Sequence, residues 1–447
     1  MSELRLLARH AGTVLVGQLA VMAYGITDTI VAGRYSEQAL AALSVGSSVY
    51  ITVFVAFIGV LQALLPVWAE LHGASGGDAL GRSVRQSAYL GLIATAVGVV
   101  CLLCPGPLLA WTEVPERLQG DVRSYLAILT LALPAALAFR VFSTLNQSLG
   151  HPRLITWLQI LSLGAKVPLS IWFAFGGLGL PAMGVQGCAW ASVAVMWGLV
   201  VMAVWLLRTQ PLYTPYGIWR PLEPPHWPTL AGFARLGVPA GLSVLVEVTS
   251  FTLMALFIAR QGTTAAAAHQ VVSNVAAVMF MTPMSLAIAI SARVSYWLGA
   301  GDPKQARRVI RTGFKAGAVL MLAYSAGVFL GRVPIAHIYT SQPEVIELAV
   351  GLLAWLALFH LGDATQGLCV FVLRSYRVTI APLIAYSVLL WGVGLGGGFV
   401  LAYKGLGPWA PMRSPAAFWI AAAASLALLA AILPPILWRA VRRYRPA

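Results

Sequence analysis

Gly33-Arg34-Tyr35-Ser36-Glu37-Gln38-Ala39-Leu40-Ala41-Ala42-Leu43-Ser44-Val45 is echoed 226 residues later by Ala259-Arg260-Gln261-Gly262-Thr263-Thr264-Ala265-Ala266-Ala267-Ala268-His269-Gln270-Val271. The arginine, three alanines and the closing valine coincide. Gly77-Asp78 ahead of Arg82 and Arg85 faces Gly301-Asp302 ahead of Arg307 and Arg308 at nearly the same shift. Each copy falls between apolar stretches of corresponding rank. Cutting the chain at charges, Gly/Pro clusters and turn signals yields twelve such stretches, each of about 20 residues or more and able to cross a hydrocarbon core of ~30 Å. The expected fold is an all-α polytopic membrane protein with twelve transmembrane helices in two pseudo-symmetric six-helix lobes. The lobes are expected at 1–207 and 236–447, joined by a cytoplasmic Pro/Trp-rich linker over 208–235. An even number of spans per lobe keeps both copies in one orientation, related by an axis along the membrane normal.

Composition agrees. Of 447 residues, 59% are hydrophobic and only 10% charged, which excludes a soluble globular protein. The 29 Lys and Arg outnumber 14 Asp and Glu and gather on alternate loops. The heaviest clusters are Lys304, Arg307, Arg308, Arg311 and Lys315, and the tail Arg439, Arg442, Arg443 and Arg445. By the positive-inside rule both termini are cytoplasmic, in a multi-pass protein of the cytoplasmic (inner) membrane. This charge is topogenic and suits anionic lipid rather than nucleic acid. Arg5 and Arg9 precede a full-length span with no small-residue cleavage pattern, so the first helix is expected to stay as an anchor. Cys101 and Cys104 form a C-x-x-C inside an apolar span, and Cys188 and Cys369 are single; all four read as small hydrophobes. H-E-x-x-H and G-x-x-x-x-G-K-[ST] are absent, so the chain is not expected to be an enzyme or to need a cofactor, and its energy must come from a gradient.

Three carboxylates interrupt the apolar runs: Asp28 within Val21-Met22-Ala23-Tyr24-Gly25-Ile26-Thr27-Asp28-Thr29-Ile30, Glu247 within Leu245-Val246-Glu247-Val248, and Asp363 within Phe359-His360-Leu361-Gly362-Asp363-Ala364. A charged Asp at the centre of a membrane helix costs roughly 2.5–3.5 kcal/mol, so each marks a candidate site for cation or proton chemistry. A carboxylate removed from water favours its protonated form, and two close together either share a proton or hold a monovalent cation between their oxygens. The acids break the repeat: at the shift of 226, Glu247 lies over Val21, Asp28 over Met254 and Asp363 over Leu137. Ion work is therefore expected to be divided unequally between the lobes. Arg140, Lys166 and Arg293 are the basic residues expected within spans.

Several further stretches carry a resemblance. They are Thr27-Asp28-Thr29-Ile30-Val31-Ala32-Gly33, Gly184-Val185-Gln186-Gly187-Cys188-Ala189-Trp190-Ala191, Ala267-Ala268-His269-Gln270-Val271-Val272-Ser273-Asn274, Leu298-Gly299-Ala300-Gly301-Asp302, and Val372-Leu373-Arg374-Ser375-Tyr376-Arg377-Val378-Thr379. In order along the whole chain, they resemble the multidrug and toxic compound extrusion (MATE) family in its NorM-like branch. The resemblance implies a V-shaped bundle that exports organic cations and drugs by alternating access in exchange for H⁺ or Na⁺. It also implies that Glu247 and Asp363 bind the coupling cation, with Na⁺ held there if a metal ion is used, and that Asp28 contributes a second site. Where the family's fifth span often carries two amides that help the N-lobe acid, this sequence has Lys166 and Ser170. If the Lys166 ammonium reaches Asp28, it satisfies the carboxylate in place of a coupling cation; alternatively Lys166 itself exchanges a proton in the cycle.

Tyr24, Gln270, Ser273, Asn274, Phe359 and His360 are candidates for a substrate cavity, offering hydrogen bonds and aromatic faces suited to cation–π contact with amines. His269 reads as a cap at the start of its helix. Partners are expected to be small organic cations or drugs and membrane lipid, with the chain acting as a monomer. A lipid-linked oligosaccharide flippase is the neighbouring alternative, and it would call for extra spans and a strongly basic cavity. An intramembrane enzyme is the more distant one.

Overall fold

The computed structural model describes residues 3–106, 116–177, 179–405, 407 and 410–444; Arg445 of the basic tail lies outside them. Among the described residues, regular structure is helical apart from one β-bridge between Gly177 and Leu180. Twelve helices are long and apolar enough to cross a membrane: α1 (Glu3–Tyr35), α2 (Glu37–Gly73), α3 (Gly77–Leu103), α4 (Leu118–Ser148), α5 (Pro152–Phe175), α6 (Val185–Thr209), α7 (Trp227–Ala259), α8 (Thr263–Gly299), α9 (Pro303–Tyr339), α10 (Pro343–Ser375), α11 (Ile380–Lys404) and α12 (Ala416–Arg443). The shortest, at 24 residues, rises about 36 Å at 1.5 Å per residue, enough to span.

The sequence repeat is also a repeat of helix ends. α2 and α8 begin and end 226 residues apart, and the residues immediately before them, Ser36 and Gly262, are related by the same shift. Ser36, in extended backbone, accepts the Ala39 amide at 3.0 Å and caps α2. Its counterpart Gly262 turns the chain at φ +115°, where a side chain would be strained. Asp302 caps α9 by accepting from the Gln305 amide at 3.0 Å, with Pro303 at the first helical position.

By packing, the chain divides into an N unit, Val16–Gly241, and a C unit made of Met1–Leu15 with Leu242–Ala447. The division falls inside α1 and α7 rather than at residues 207 and 236. One reason is apolar burial: Leu7 belongs to the C-unit core, while Leu230 and Phe233 at the start of α7 belong to the N-unit core. Another is that the linker is bound to the N unit. Arg85 on α3 donates to the Gly217 carbonyl and to Glu223, each at 2.6 Å, and the Tyr89 hydroxyl donates to the Glu223 carbonyl at 2.8 Å. Tyr213 donates to Asn146 on α4 at 2.7 Å. Trp219 stays half exposed, donates to the Leu207 carbonyl at 3.1 Å and lies under the Arg208 guanidinium, while Trp227 starts α7 and is exposed.

In the C unit, small residues let three helices close on one another. α11 carries Gly392, Gly394, Gly396, Gly397 and Gly398 and winds partly as π-helix, over Ser387–Gly396 and Val400–Lys404. A Cβ at Gly398 would meet Phe418 of α12 at 2.6 Å. On α10, a Cβ at Gly362 would sit 2.8 Å from the Leu426 carbonyl carbon of α12, backbone that cannot swing aside. Gly362→Ala is therefore expected to force α10 from α12 beside Asp363 and to destabilise the protein by about 1–3 kcal/mol. Gly367→Ala, on the same helix with nothing within 4 Å of the added carbon, should be tolerated. Thermal unfolding of the two purified variants checks this, and equal melting temperatures would contradict the close-packing account.

Candidate functional site

α7, α10, α11 and α12 wall a cavity in the C unit. Glu247, Ser250, Phe251 and Met254 come from α7, Phe359 and Asp363 from α10, Leu390, Gly394 and Leu395 from α11, and Ala422, Ser425 and Leu426 from α12. Both C-unit acids thus line one space. The spacing 247, 250, 251, 254 is one face of a helix, as is 359, 363. Trp391 of α11 donates to the Val246 carbonyl at 3.2 Å and fixes α11 against α7 beside Glu247. Space for the centre of a water molecule inside amounts to about 20 Å³, which suits one water or one small cation and not a drug-sized molecule.

The two acids are held differently. Asp363 accepts from Gln366 Nε2 at 3.1 Å, and Gln366 Oε1 in turn accepts the Tyr386 hydroxyl from α11. This chain fixes both the carboxylate and the amide's orientation. Glu247 makes no hydrogen bond among the described residues. One oriented carboxylate and one without a hydrogen bond thus face the same cavity, the kind of oxygen pair that would suit a proton or a hard monovalent cation. Among the described residues, no group of three or more His, Cys, Asp or Glu side chains is placed to hold a metal ion, so any Na⁺ would rest on these two carboxylates, nearby hydroxyls and water.

Aromatic rings back the site. Phe251 and Phe359 meet edge to face with centroids 5.7 Å apart, and each packs on the fully buried Trp419. His269 also packs on Trp419, with centroids 5.7 Å apart, and shares a hydrogen bond with Ser273 at 3.2 Å. It lies six residues into α8 and is buried, so it does not cap the helix start. His360 lines a second small cavity with Tyr324 and Thr282. Gln270 and Asn274 are exposed and bonded to each other at 3.2 Å.

In the N unit, Asp28 on α1 meets two residues of α5. Lys166 Nζ stands 2.7 Å from Asp28 Oδ1, and Ser170 Oγ donates to the same oxygen at 3.1 Å. Lys166, 1% exposed, also donates to the Cys188 carbonyl at 3.0 Å and to Ser192 Oγ at 2.7 Å on α6. α6 comes this close because Gly187 has no side chain; a Cβ there would lie 2.4 Å from the Phe173 carbonyl carbon of α5. Tyr24, one turn before Asp28, donates to the Gln159 carbonyl at 3.2 Å and bonds Ser162. It is buried against α5.

Gln366, Tyr386, Ser192 and Arg374 went unread as site residues in the sequence. Gln366 was within reach, standing three residues after Asp363 on the same helix face. Arg374 is in the last turn of α10, 4% exposed, with its guanidinium 4.4 Å over the Phe371 ring.

The MatE family profile matches residues 14–172 and 239–400, one stretch in each half. This chain belongs to the MatE family. The probable multidrug resistance protein NorM of Aromatoleum aromaticum is 36% identical over 98% of this chain and 94% of its own length. The multidrug resistance protein PmpM of Pseudomonas aeruginosa is 32% identical over 99% and 93%. In structure, the chain superposes on a point mutant of the Vibrio cholerae MATE transporter VcmN with a TM-score of 0.87, and on the eukaryotic MATE transporter AtDTX14 with 0.85. These two are 18% and 20% identical to it, and each superposition covers 99% of this chain and 98% of the other. As a member of this family the chain is a multi-pass membrane transporter and not an enzyme.

The Tyr386–Gln366–Asp363 chain yields a prediction. Gln366→Leu leaves Asp363 without its donor and strands the Tyr386 hydroxyl, a loss of about 1–3 kcal/mol. Tyr386→Phe keeps the Gln366–Asp363 bond and should cost less. Melting temperature and apparent affinity for the coupling cation should both fall in the order wild type, Tyr386→Phe, Gln366→Leu; an unchanged affinity in Gln366→Leu would contradict a positioning role.

Proposed function

We propose that the protein exports organic cations and drugs across the cytoplasmic membrane, by alternating access, in exchange for inward H⁺ or Na⁺. The observation that carries this reading is the convergence of Glu247 and Asp363 on one water-sized cavity inside membrane-spanning helices. Relatives over nearly the whole length are named multidrug resistance proteins, which supports a substrate range of drug-like cations. The energetic scale is adequate, since one charge moving down 100 mV yields ~2.3 kcal/mol, roughly a fortyfold substrate gradient. The cavity is too small for the drug itself, so coupling cation and substrate bind at different places. Gln270 and Asn274, exposed on α8, are the polar pair offered to substrate, whereas Tyr24 is consumed by its bonds to α5. Both termini lie in the cytoplasm, and the chain works as a monomer.

In proteoliposomes, ethidium or norfloxacin transport should follow an imposed proton or Na⁺ gradient and collapse without it. Glu247→Gln and Asp363→Asn should each lower gradient-driven transport tenfold or more, equivalent to about 1.4 kcal/mol. Transport indifferent to both gradients would refute the antiporter reading.

A further inference from the structure

The carboxylate of the N unit is answered by a side chain instead of an ion. The Lys166 ammonium has three N–H donors and meets three oxygens: Asp28 Oδ1 at 2.7 Å, Ser192 Oγ at 2.7 Å and the Cys188 carbonyl at 3.0 Å. No donor is left over, the side chain is 99% shielded from solvent, and Ser170 supplies Asp28 with a further donor at 3.1 Å. A carboxylate, a hydroxyl and a carbonyl around one positive charge is also the oxygen set that a monovalent cation would take. Here the charge arrives on a four-carbon stem from α5 and cannot leave.

We propose that Lys166 is a tethered cation, permanently filling the position at which a mobile monovalent cation would neutralise Asp28. The N-unit charge then stays fixed through the transport cycle, and cation traffic is confined to Glu247 and Asp363. Confinement rests on the coupled-antiport reading above; occupancy of the site by Lys166 does not. A buried ion pair broken on one side leaves an uncompensated charge, which is strongly destabilising. Removing both partners together should not be.

Lys166→Ala deletes Cγ, Cδ, Cε and Nζ, the atoms of propylammonium. The purified full-length variant is expected to melt below wild type and to regain stability saturably with propylammonium, by about 2 °C or more. Methylammonium and Na⁺, which refill less of the space, should give smaller shifts. The neutral 1-propanol should give none, and wild type should respond to none of them. Recovery with 1-propanol equal to that with propylammonium would mean that a void, not a charge, had been filled, and would overturn the proposal. So would a variant as stable as wild type without additive. If Lys166→Ala does not fold, the double variant Lys166→Met with Asp28→Asn decides. It should keep gradient-driven transport within about threefold of wild type, whereas a well-folded double variant with a tenfold or greater loss would show that the pair opens during the cycle and would overturn the proposal. Failure of the antiport reading looks different: wild-type transport would ignore the gradients while the propylammonium effect on stability persisted.

Discussion

A carboxylate in a membrane-spanning helix must be answered, because no water is at hand to solvate it. The chain answers its three acids in three ways. Asp28 is closed by a full ion pair with Lys166 and a serine donor. Asp363 is held by a neutral relay, Tyr386 to Gln366 to carboxylate. Glu247 is left without a hydrogen bond among the described residues, facing a cavity that holds about one water. The order runs from an ion-paired acid, through a hydrogen-bonded one, to one without a hydrogen bond. Local packing serves this arrangement. Gly187 brings α6 to Lys166, and Gly362 brings α12 to α10 beside Asp363.

The internal repeat makes the unequal treatment informative. α2 and α8 share the same ends at a shift of 226 residues, so positions around them can be compared between the halves. On α7, the position equivalent to Asp28 is Met254, and the position equivalent to Tyr24 is Ser250; both line the C-unit cavity. One face of the duplicated first helix thus looks into a site in both units, while the charge sits two turns apart along it, at Asp28 in one and Glu247 in the other. A second acid, from α10, joins in the C unit alone, and a lysine joins in the N unit alone. The same fold supports an ion-paired acid in one unit and two acids on one cavity in the other.

Helix number, the repeat and the three acids were legible in the sequence because each is a one-dimensional signal: a run of apolar residues, a periodic echo, a charge out of place. The encounter of Lys166 with Asp28 was legible too, because the resemblance sets Lys166 and Ser170 where the family's fifth span supplies side chains to the N-lobe acid. Contacts across helices were not. Tyr386 reaches Gln366 from another helix, and no spacing in the sequence relates them. Arg374 is buried in the last turn of α10 over Phe371, although a cation at a span's edge is usually solvated. Tyr24, expected in a cavity, turned inward because Gln159 and Ser162 on α5 offer its hydroxyl partners. His269 was taken for a cap from its place near the helix start, where tertiary packing on Trp419 decided instead.

The central claim is that exchangeable charge resides at Glu247 and Asp363 and nowhere else in the spans. It is tested most directly by electrical recording on protein-loaded supported membranes, without drug, after a jump in H⁺ or Na⁺ concentration. The account predicts a transient charge displacement in wild type and in the Lys166→Met, Asp28→Asn double variant, and its disappearance when Glu247→Gln and Asp363→Asn are combined. A displacement of wild-type size in that last variant would contradict it.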